Sequence, residues 1–306
     1  MKQTENDVPC ISVVIPTYNR CELLQRAVKS VLAQIESNYE IIIADDGSQD
    51  DTPKIFGNFN DARVRYLQLP HKGACAARNA GIAAARGKYI ALLDSDDIWR
   101  PEKLSVQKQQ IESTQADVIF CSFLLHSIDK QEEERFPADD VPEGRIEVRQ
   151  LLKRNLVSTQ TLFGKTEVMK QIPFDESFPR MQDWDYAIRL AKNYRLFYFK
   201  TVLSDVYLQH DSISNHPEHG LAAIRLLYAK YREDYLASPD NLRAIMTAHH
   251  IYAVQCRALC AKELFRMAFS CRCSIVKATL VYSALKYSVK EILTIWNKPG
   301  KEKTER

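Results

Sequence analysis

Short apolar runs closed by polar clusters recur through the first half of the chain. Ile11-Ser-Val-Val-Ile15 is a β-branched run ended by Pro16. Leu23, Leu24, Ala27, Val28, Val31 and Leu32 then share one helical face over 22–34. Tyr39–Ala44 predicts a second buried strand, stopped by the turn cluster Asp45-Asp46-Gly47-Ser48. Asp51-Thr52-Pro53 opens a helix, and Val64–Leu69 predicts a third strand. An Ala-rich helix follows over 73–86, then a fourth strand over Tyr89–Leu93, stopped by Asp94. Pro101 opens a helix to about Thr114, and Val118–Leu125 predicts a fifth strand. Five such alternations predict an α/β fold with a mostly parallel central sheet covered by helices. In such sheets ligands bind beyond the carboxyl ends of the strands, where Thr17, Asp45-Asp46 and Asp94–Asp97 stand. Residues 129–145 are charged, carry two prolines and read as a mobile loop. Residues 147–215 mix short helices and strands, and the pattern is helical from about 218 to Trp296.

Composition narrows the class. With 45% hydrophobic and 26% charged residues, the 306-residue chain is neither a disordered tail, a collagen nor a small disulfide knot. Its apolar runs are only a few residues long, so no membrane-spanning helix is expected. The first ten residues lack the apolar core of a signal peptide, which predicts a cytoplasmic protein. The eight cysteines form no C-x-x-C pair and read as reduced thiols. A net charge of +3 gives no reason to expect a nucleic-acid partner. The charge is uneven, however. Residues 262–306 carry ten Lys or Arg against four Glu, a net of +6, which leaves −3 for the remainder.

Five clusters could carry chemistry. Asp94, Asp96 and Asp97 at the end of a buried strand repel one another unless a cation is present, and a few carboxylates plus substrate phosphates are the usual seat of Mg²⁺ or Mn²⁺. Asp97 also fits an acidic turn before the helix at Pro101. Asp45-Asp46 could accept hydrogen bonds from a base or a ribose, or form a plain turn. Gly73 with Arg78 suits a diphosphate at a helix start, or a packed helix with a surface Arg. Asp183 and Asp185 flank Trp184 at a predicted helix start, where caps are common. His210 fits either a strand cap or a phosphate contact.

The order of these clusters is more telling than any one of them. Pro16-Thr17-Tyr18-Asn19-Arg20, Asp45-Asp46-Gly47-Ser48, Ala77-Arg78-Asn79-Ala80-Gly81, Asp94-Ser95-Asp96-Asp97 and Asp183-Trp184-Asp185 follow in sequence. This resembles the family 2 glycosyltransferases of bacterial type, which have the GT-A fold. The resemblance is close over 10–125, looser over 155–214 and absent beyond about 220. It implies a catalytic domain over 1–215, with a nucleotide-sugar-binding half (8–125) and an acceptor-binding half (126–215). A C-terminal helical region with a basic tail would follow over 216–306. It further implies that Thr17, Tyr18 and Asp46 line the nucleoside pocket and that Arg78 and Asp94 lie at the donor. Asp94 and Asp96 would match the D-x-D element, with Asp96 the direct ligand of Mn²⁺ or Mg²⁺. Asp183 would match the general base of inverting members, with Gln182 where the family often has an acidic residue. His210 would lie near the diphosphate. The implied reaction moves a sugar from a nucleotide-sugar donor, most commonly a UDP-sugar in this family, to a saccharide or lipid-linked saccharide acceptor in surface polysaccharide synthesis.

Three rival readings fit less well. In a phosphatase of the haloacid dehalogenase type the nucleophile motif comes first and the acidic pair last, the reverse of the order here. A dehydrogenase would need G-x-G-x-x-G after the first strand, and none is present. A non-catalytic nucleotide-sugar-binding subunit would have no need of Asp94, Asp96 and Asp183 together. In 270–306, Ile275, Val276, Leu280, Tyr282, Leu285, Val289, Ile292, Leu293 and Trp296 recur at helical spacing among Lys277, Lys286 and Lys290. That pattern suits either the inner face of the cytoplasmic membrane or packing on the catalytic domain.

Overall fold

The computed structural model describes residues 8–56, 59–127, 132–207 and 216–255. The first half runs β1 (Ile11–Thr17), α1 (Cys21–Leu32), β2 (Tyr39–Asp45), α2 (Thr52–Ile55), β3 (Val64–Gln68), α3 (Ala74–Ala84), β4 (Tyr89–Leu92), β5 (Ile98–Trp99), α4 (Lys103–Thr114) and β6 (Val118–Ser127). It continues with β7 (Glu132–Phe136), β8 (Gly144–Arg145), α5 (Val148–Leu151), β9 (Leu162–Lys165), α6 (Thr166–Gln171), α7 (Gln182–Asn193) and β10 (Leu196–Tyr207). Three helices follow: α8 (Pro217–Lys230), α9 (Arg232–Leu236) and α10 (Pro239–Gln255). The chain divides into two compact units, Met1–Leu151 with Asn155–Ser212, and Leu152–Arg154 with Ile213–Arg306.

In the first unit the main path of the sheet reads β3-β2-β1-β4-β9-β6-β10-β5, with β7 on β6 and β8 on β10. From β3 to β4 every pairing is parallel. Beyond β4 the sheet is mixed: β9 enters antiparallel between β4 and β6, and β6 pairs parallel with β10. All seven residues of β1 and of β2 are buried, as expected where helices cover both faces. On one face Val13, Ile15, Ile41, Ile43 and Ala91 pack with Leu24, Val28 and Val31 of α1 and Leu104 and Ile111 of α4. Against the other face lies α3, close enough that a Cβ on Gly81 would stand 2.4 Å from Val14 Cγ1.

The segment expected as a mobile loop over 129–145 is ordered differently where it is described. Glu132–Phe136 pairs antiparallel with β6, placing Phe136 opposite Phe123 with ring centroids 5.1 Å apart. Its glutamates are exposed, the usual dress of an edge strand, so the charged composition concealed a strand. The short β8 pairs with β10. Of the predicted C-terminal helical stretch, α8, α9 and α10 are described. Residues 256–306, including the amphipathic pattern of 270–306, lie outside the described residues, as does His210.

In the second unit α8 and α10 pack closely. A Cβ on Gly220 would meet the Tyr252 ring at 2.4 Å. Leu221, Ile224, Leu227, Tyr235, Leu242 and Ile245 are buried. Among the described residues no helix is long and apolar enough to cross a membrane.

Candidate active site

The loops after β1, β2 and β4 meet at the carboxyl edge of the parallel strands. Thr17 lies opposite Asp45 in the β1–β2 register, and the Asp46 N–H donates to the Thr17 carbonyl at 2.9 Å. Asn19 braces the two loops. Its N–H donates to Ser48 Oγ at 2.8 Å, and its Oδ1 accepts from the Gln49 N–H at 2.7 Å. This costs Asn19 a left-handed backbone (φ 50°), which Asn tolerates better than most residues. The Asp45 carboxylate is buried and accepts from Ser48 N, Ser48 Oγ and the Tyr66 hydroxyl, so it serves the turn. Burial and the Asp45 charge push the Tyr66 hydroxyl well above the usual phenol range.

Asp46 is the neighbouring carboxylate and is also buried. Its Oδ1 accepts from the Lys72 N–H and its Oδ2 from the Gly73 N–H, each at 2.8 Å. His71 Nδ1 stands 2.8 Å from Asp46 Oδ2 and 3.1 Å from the Asp46 carbonyl oxygen. Both are acceptors, so Nδ1 carries the proton and Nε2 is left for other partners. The His71 ring stacks on Tyr18 with centroids 4.2 Å apart and an interplanar angle of 24°. Tyr18 is 38% exposed, so the stack forms an aromatic platform at the sheet edge. Beside it Thr17 Oγ1 is buried with no hydrogen-bond partner. Gly47 permits the close approach: its φ is +80°, and a Cβ there would crowd the Leu69 carbonyl and the His71 N–H at 3.1 and 3.2 Å. Gly73, at φ +97°, turns the chain into α3.

Two of the three carboxylates in the acidic loop after β4 are paired with arginines. Arg78 Nη2 donates to Asp94 Oδ1 at 2.9 Å, and Arg20 Nη1 pairs with Asp96 Oδ2 at 2.5 Å. Arg78 is buried rather than a surface residue, its guanidinium lies 4.8 Å from the Phe174 ring centroid, and its Nε has no hydrogen-bond partner. Burial raises the Asp96 carboxyl above the usual range. Arg20 opposes that shift and Asp94 adds to it. Asp97 is not a helix cap, since α4 begins only at Lys103. It is buried, and burial together with the charges of Asp96 and Asp94 raises it well above the ordinary carboxylate range. Clustered carboxylates held high in this way are stabilised by added positive charge. Among the described residues no group of three His, Cys, Asp or Glu is placed to hold a metal ion. Asp94 and Asp96, both partly open to solvent, fit a hard cation that takes its remaining oxygens from phosphate and water.

Asp183 stands in the first turn of α7, which starts after Met181 in a left-handed conformation, with no side-chain cap. Asp185 is not a cap either: it is fully buried and pairs with Arg189 at 2.8 Å. Trp184 is buried and its Nε1–H donates to the Leu151 carbonyl at 2.6 Å. Burial pushes the Asp183 carboxyl up to about 6, against the pull of the Trp184 N–H and the Asn155 amide. The field of Asp94 raises it further, and that of Arg78 lowers it. The structure thus brings Thr17, Tyr18 and Asp46 together, and Arg78, Asp94 and Asp96 together, with Asp183 within the electrostatic reach of the second group. His71, Arg20, Asn155 and Phe174 join the site from positions that have no strong signal in the sequence. Arg20 closes the Pro16–Arg20 motif, and His71 is a lone histidine just ahead of Gly73. Asn155 and Phe174 have no local signal.

The family model described as Glycosyl transferase family 2 matches residues 12–172. The UDP-Glc:alpha-D-GlcNAc-diphosphoundecaprenol beta-1,3-glucosyltransferase WfaP of Escherichia coli is 34% identical over 181 residues, 59% of this chain and 68% of that protein. The chain spans only part of the curated relatives it matches, from 18% to 68% of their lengths. Among solved structures, S. aureus TarS 1–349 in complex with UDP-GlcNAc aligns with a TM-score of 0.69 at 17% identity, covering 93% of this chain and 90% of that one. The mannosyltransferase PcManGT from Pyrobaculum calidifontis, in complex with GDP-Man and Mn²⁺, aligns with a TM-score of 0.55 at 16% identity, covering 95% and 88%. At these identities the likeness is one of fold, the GT-A fold.

Proposed function

The chain belongs to glycosyl transferase family 2, and from that premise we propose that it is an inverting glycosyltransferase using a nucleotide-diphosphate sugar, a UDP-sugar in the first instance. The acceptor in this reading is a saccharide or lipid-linked saccharide of surface polysaccharide synthesis; the E. coli relative is named for a lipid-linked acceptor, alpha-D-GlcNAc-diphosphoundecaprenol. The observation that carries the reading is the pairing of an acidic loop held by two arginines at the sheet's carboxyl edge with a carboxylate raised to about 6 at the start of α7.

Each residue then has a task. Tyr18 and His71 offer a face to the base, and the idle Thr17 hydroxyl a hydrogen bond to the nucleoside. Arg78, stacked on Phe174 with Nε unused, serves the diphosphate. Asp94 and Asp96 would hold Mn²⁺ or Mg²⁺, which when bound offsets the charge that builds on the leaving diphosphate. Asp183 takes the proton of the attacking acceptor hydroxyl, and its raised pKa places it near working pH. Attack from the face opposite the leaving group inverts the anomeric carbon, so an α-linked donor yields a β-linkage. Residues 270–306 in this reading dock the protein to the inner face of the cytoplasmic membrane, on sequence grounds alone.

The test is turnover of a panel of nucleotide sugars by purified protein with Mn²⁺ or Mg²⁺, alongside Asp96→Ala. One donor should be turned over in a metal-dependent way, and Asp96→Ala should lose most of that activity while staying folded. Full activity in excess chelator sinks the metal assignment; no turnover of any donor sinks the reading.

A further inference from the structure

The carboxylate of Asp183 is held asymmetrically. Its Oδ1 accepts the Trp184 N–H at 2.8 Å and the Asn155 Nδ2–H at 3.2 Å. Among the described residues no hydrogen bond reaches Oδ2. Asn155 is fixed in turn. Its Oδ1 accepts the Val157 N–H at 3.1 Å, so a flipped amide would point a donor at a donor. Leu156 and Val157 are buried and anchor the backbone there. Asn155 thus lies outside α7 yet completes the setting of a side chain on it.

We propose that Asn155 is a positioning residue for the base: it pins Oδ1 of Asp183 so that Oδ2 alone is presented to the acceptor hydroxyl. This rests on the reading of Asp183 as the base. The chemistry follows from the geometry. A base must offer one lone pair along the line of the O–H bond it breaks, within hydrogen-bond reach. With two donors on Oδ1, a partial turn of the carboxylate would sacrifice both bonds and a half-turn only exchanges two equivalent oxygens, so the proton taken from the acceptor settles on the oxygen that faces away from Trp184 and Asn155, Oδ2 here. The amide also favours the charged form. The other ionisable groups acting on this carboxyl are Arg78, from α3, and Asp94, from the loop after β4. Cys75 of α3 also feels its charge, and burial holds that thiol up at about 11, so it stays neutral over the working range. None of the three donates a hydrogen bond to Asp183, so Asn155 is the one side chain that does so among the described residues.

The experiment uses the full chain in four forms: wild type, Asn155→Ala, Asn155→Asp and Asp183→Asn. The Asp183 carboxyl is titrated by carbon-13 NMR of aspartate-labelled protein, with its signal assigned by its loss in Asp183→Asn. In parallel kcat/KM is followed against pH with the best donor of the panel. Removing a donor from the charged form raises a carboxyl pKa. In Asn155→Ala the midpoint should therefore rise by roughly half to one pH unit. The acidic limb of the rate profile should rise with it, and the plateau should fall about tenfold through lost orientation. Asn155→Asp adds a like charge and should raise the midpoint further. An unmoved midpoint or an unmoved acidic limb in Asn155→Ala overturns the proposal. Should that variant fail to fold, Asn155→Ser carries the same two readouts. The Asp183→Asn arm separates the two ideas: normal turnover there refutes Asp183 as the base. Loss of turnover there, with a wild-type profile in Asn155→Ala, refutes only the role of Asn155.

Discussion

At the scale of single residues, the site holds groups that are costly in the free protein. Asp183 is one. Its carboxyl titrates near 6 in the folded chain, against about 4 when unfolded. Below about pH 4 both states are protonated and nothing is lost. As pH rises through about 6, the folded state must carry a charge it disfavours, and stability falls. Asp183→Asn keeps the shape without that charge. It should lower transfer by a factor on the order of 10² or more while nucleotide binding survives. Because the carboxyl is only partly buried, the gain in stability is about 1 kcal/mol at pH 8 and vanishes near pH 4. Thermal melts at the two pH values measure it, and a variant less stable at pH 8 contradicts the assignment. Thr17 is a second case: its hydroxyl is buried and unpaired, an arrangement that costs roughly 1–3 kcal/mol. Thr17→Val should therefore leave the unliganded protein as stable or more so, and weaken UDP binding several-fold by calorimetry. Unchanged affinity would remove Thr17 from the donor pocket.

At the scale of elements, the parallel half of the sheet depends on how closely α3 approaches β1. A Cβ on Gly81 would stand 2.4 Å from Val14 Cγ1, and Val14 is fully buried in the middle of its strand. Ala is the better helix former by about 1 kcal/mol, but overpacking a rigid core costs about 1–3 kcal/mol. The clash should win, leaving Gly81→Ala about 1–2 kcal/mol less stable in urea unfolding; a stabilised variant would show that α3 has room to move. The same half was the legible part of the sequence. β1, β2 and β4 are buried on both faces, so their residues read as near-continuous apolar runs, interrupted by Ser12 in β1 and Glu40 in β2, and Gly73, Asp45 and Asp94 mark where the chain turns. β9 was hidden because Leu-Phe-Gly-Lys is too short to show a period and its partners lie far away in sequence. β7 was hidden because three consecutive glutamates obscure an edge strand. The site divides in the same way: motif residues on parallel strand ends could be read, whereas Asn155 and Phe174 matter only through long-range contacts with Asp183 and Arg78.

At the scale of the whole molecule, charge is the property that neither unit's packing explains. Residues 262–306 hold a net +6, while the remaining residues sum to −3. A short-range catalytic site gains nothing from such a separation, but a surface enzyme with a lipid-linked acceptor does. Anionic lipid attracts each nearby Lys or Arg by about 1 kcal/mol, and the attraction fades within a Debye length. The apolar residues of 270–306 that recur at helical spacing would add burial that salt does not screen. These two contributions predict a particular salt response. The full chain should sediment with anionic vesicles at about 0.05 M salt and be largely released at about 0.5 M. Deleting 270–306 should abolish sedimentation at both, and the full chain should ignore neutral vesicles. Reversing Lys277, Lys286 and Lys290 to Glu keeps the apolar spacing and removes the attraction, so it should behave like the deletion at low salt. Binding that survives both the deletion and the reversal would place the lipid contact elsewhere. Binding that is absent in the full chain would leave the apolar spacing as ordinary packing and the acceptor to be met away from the membrane surface.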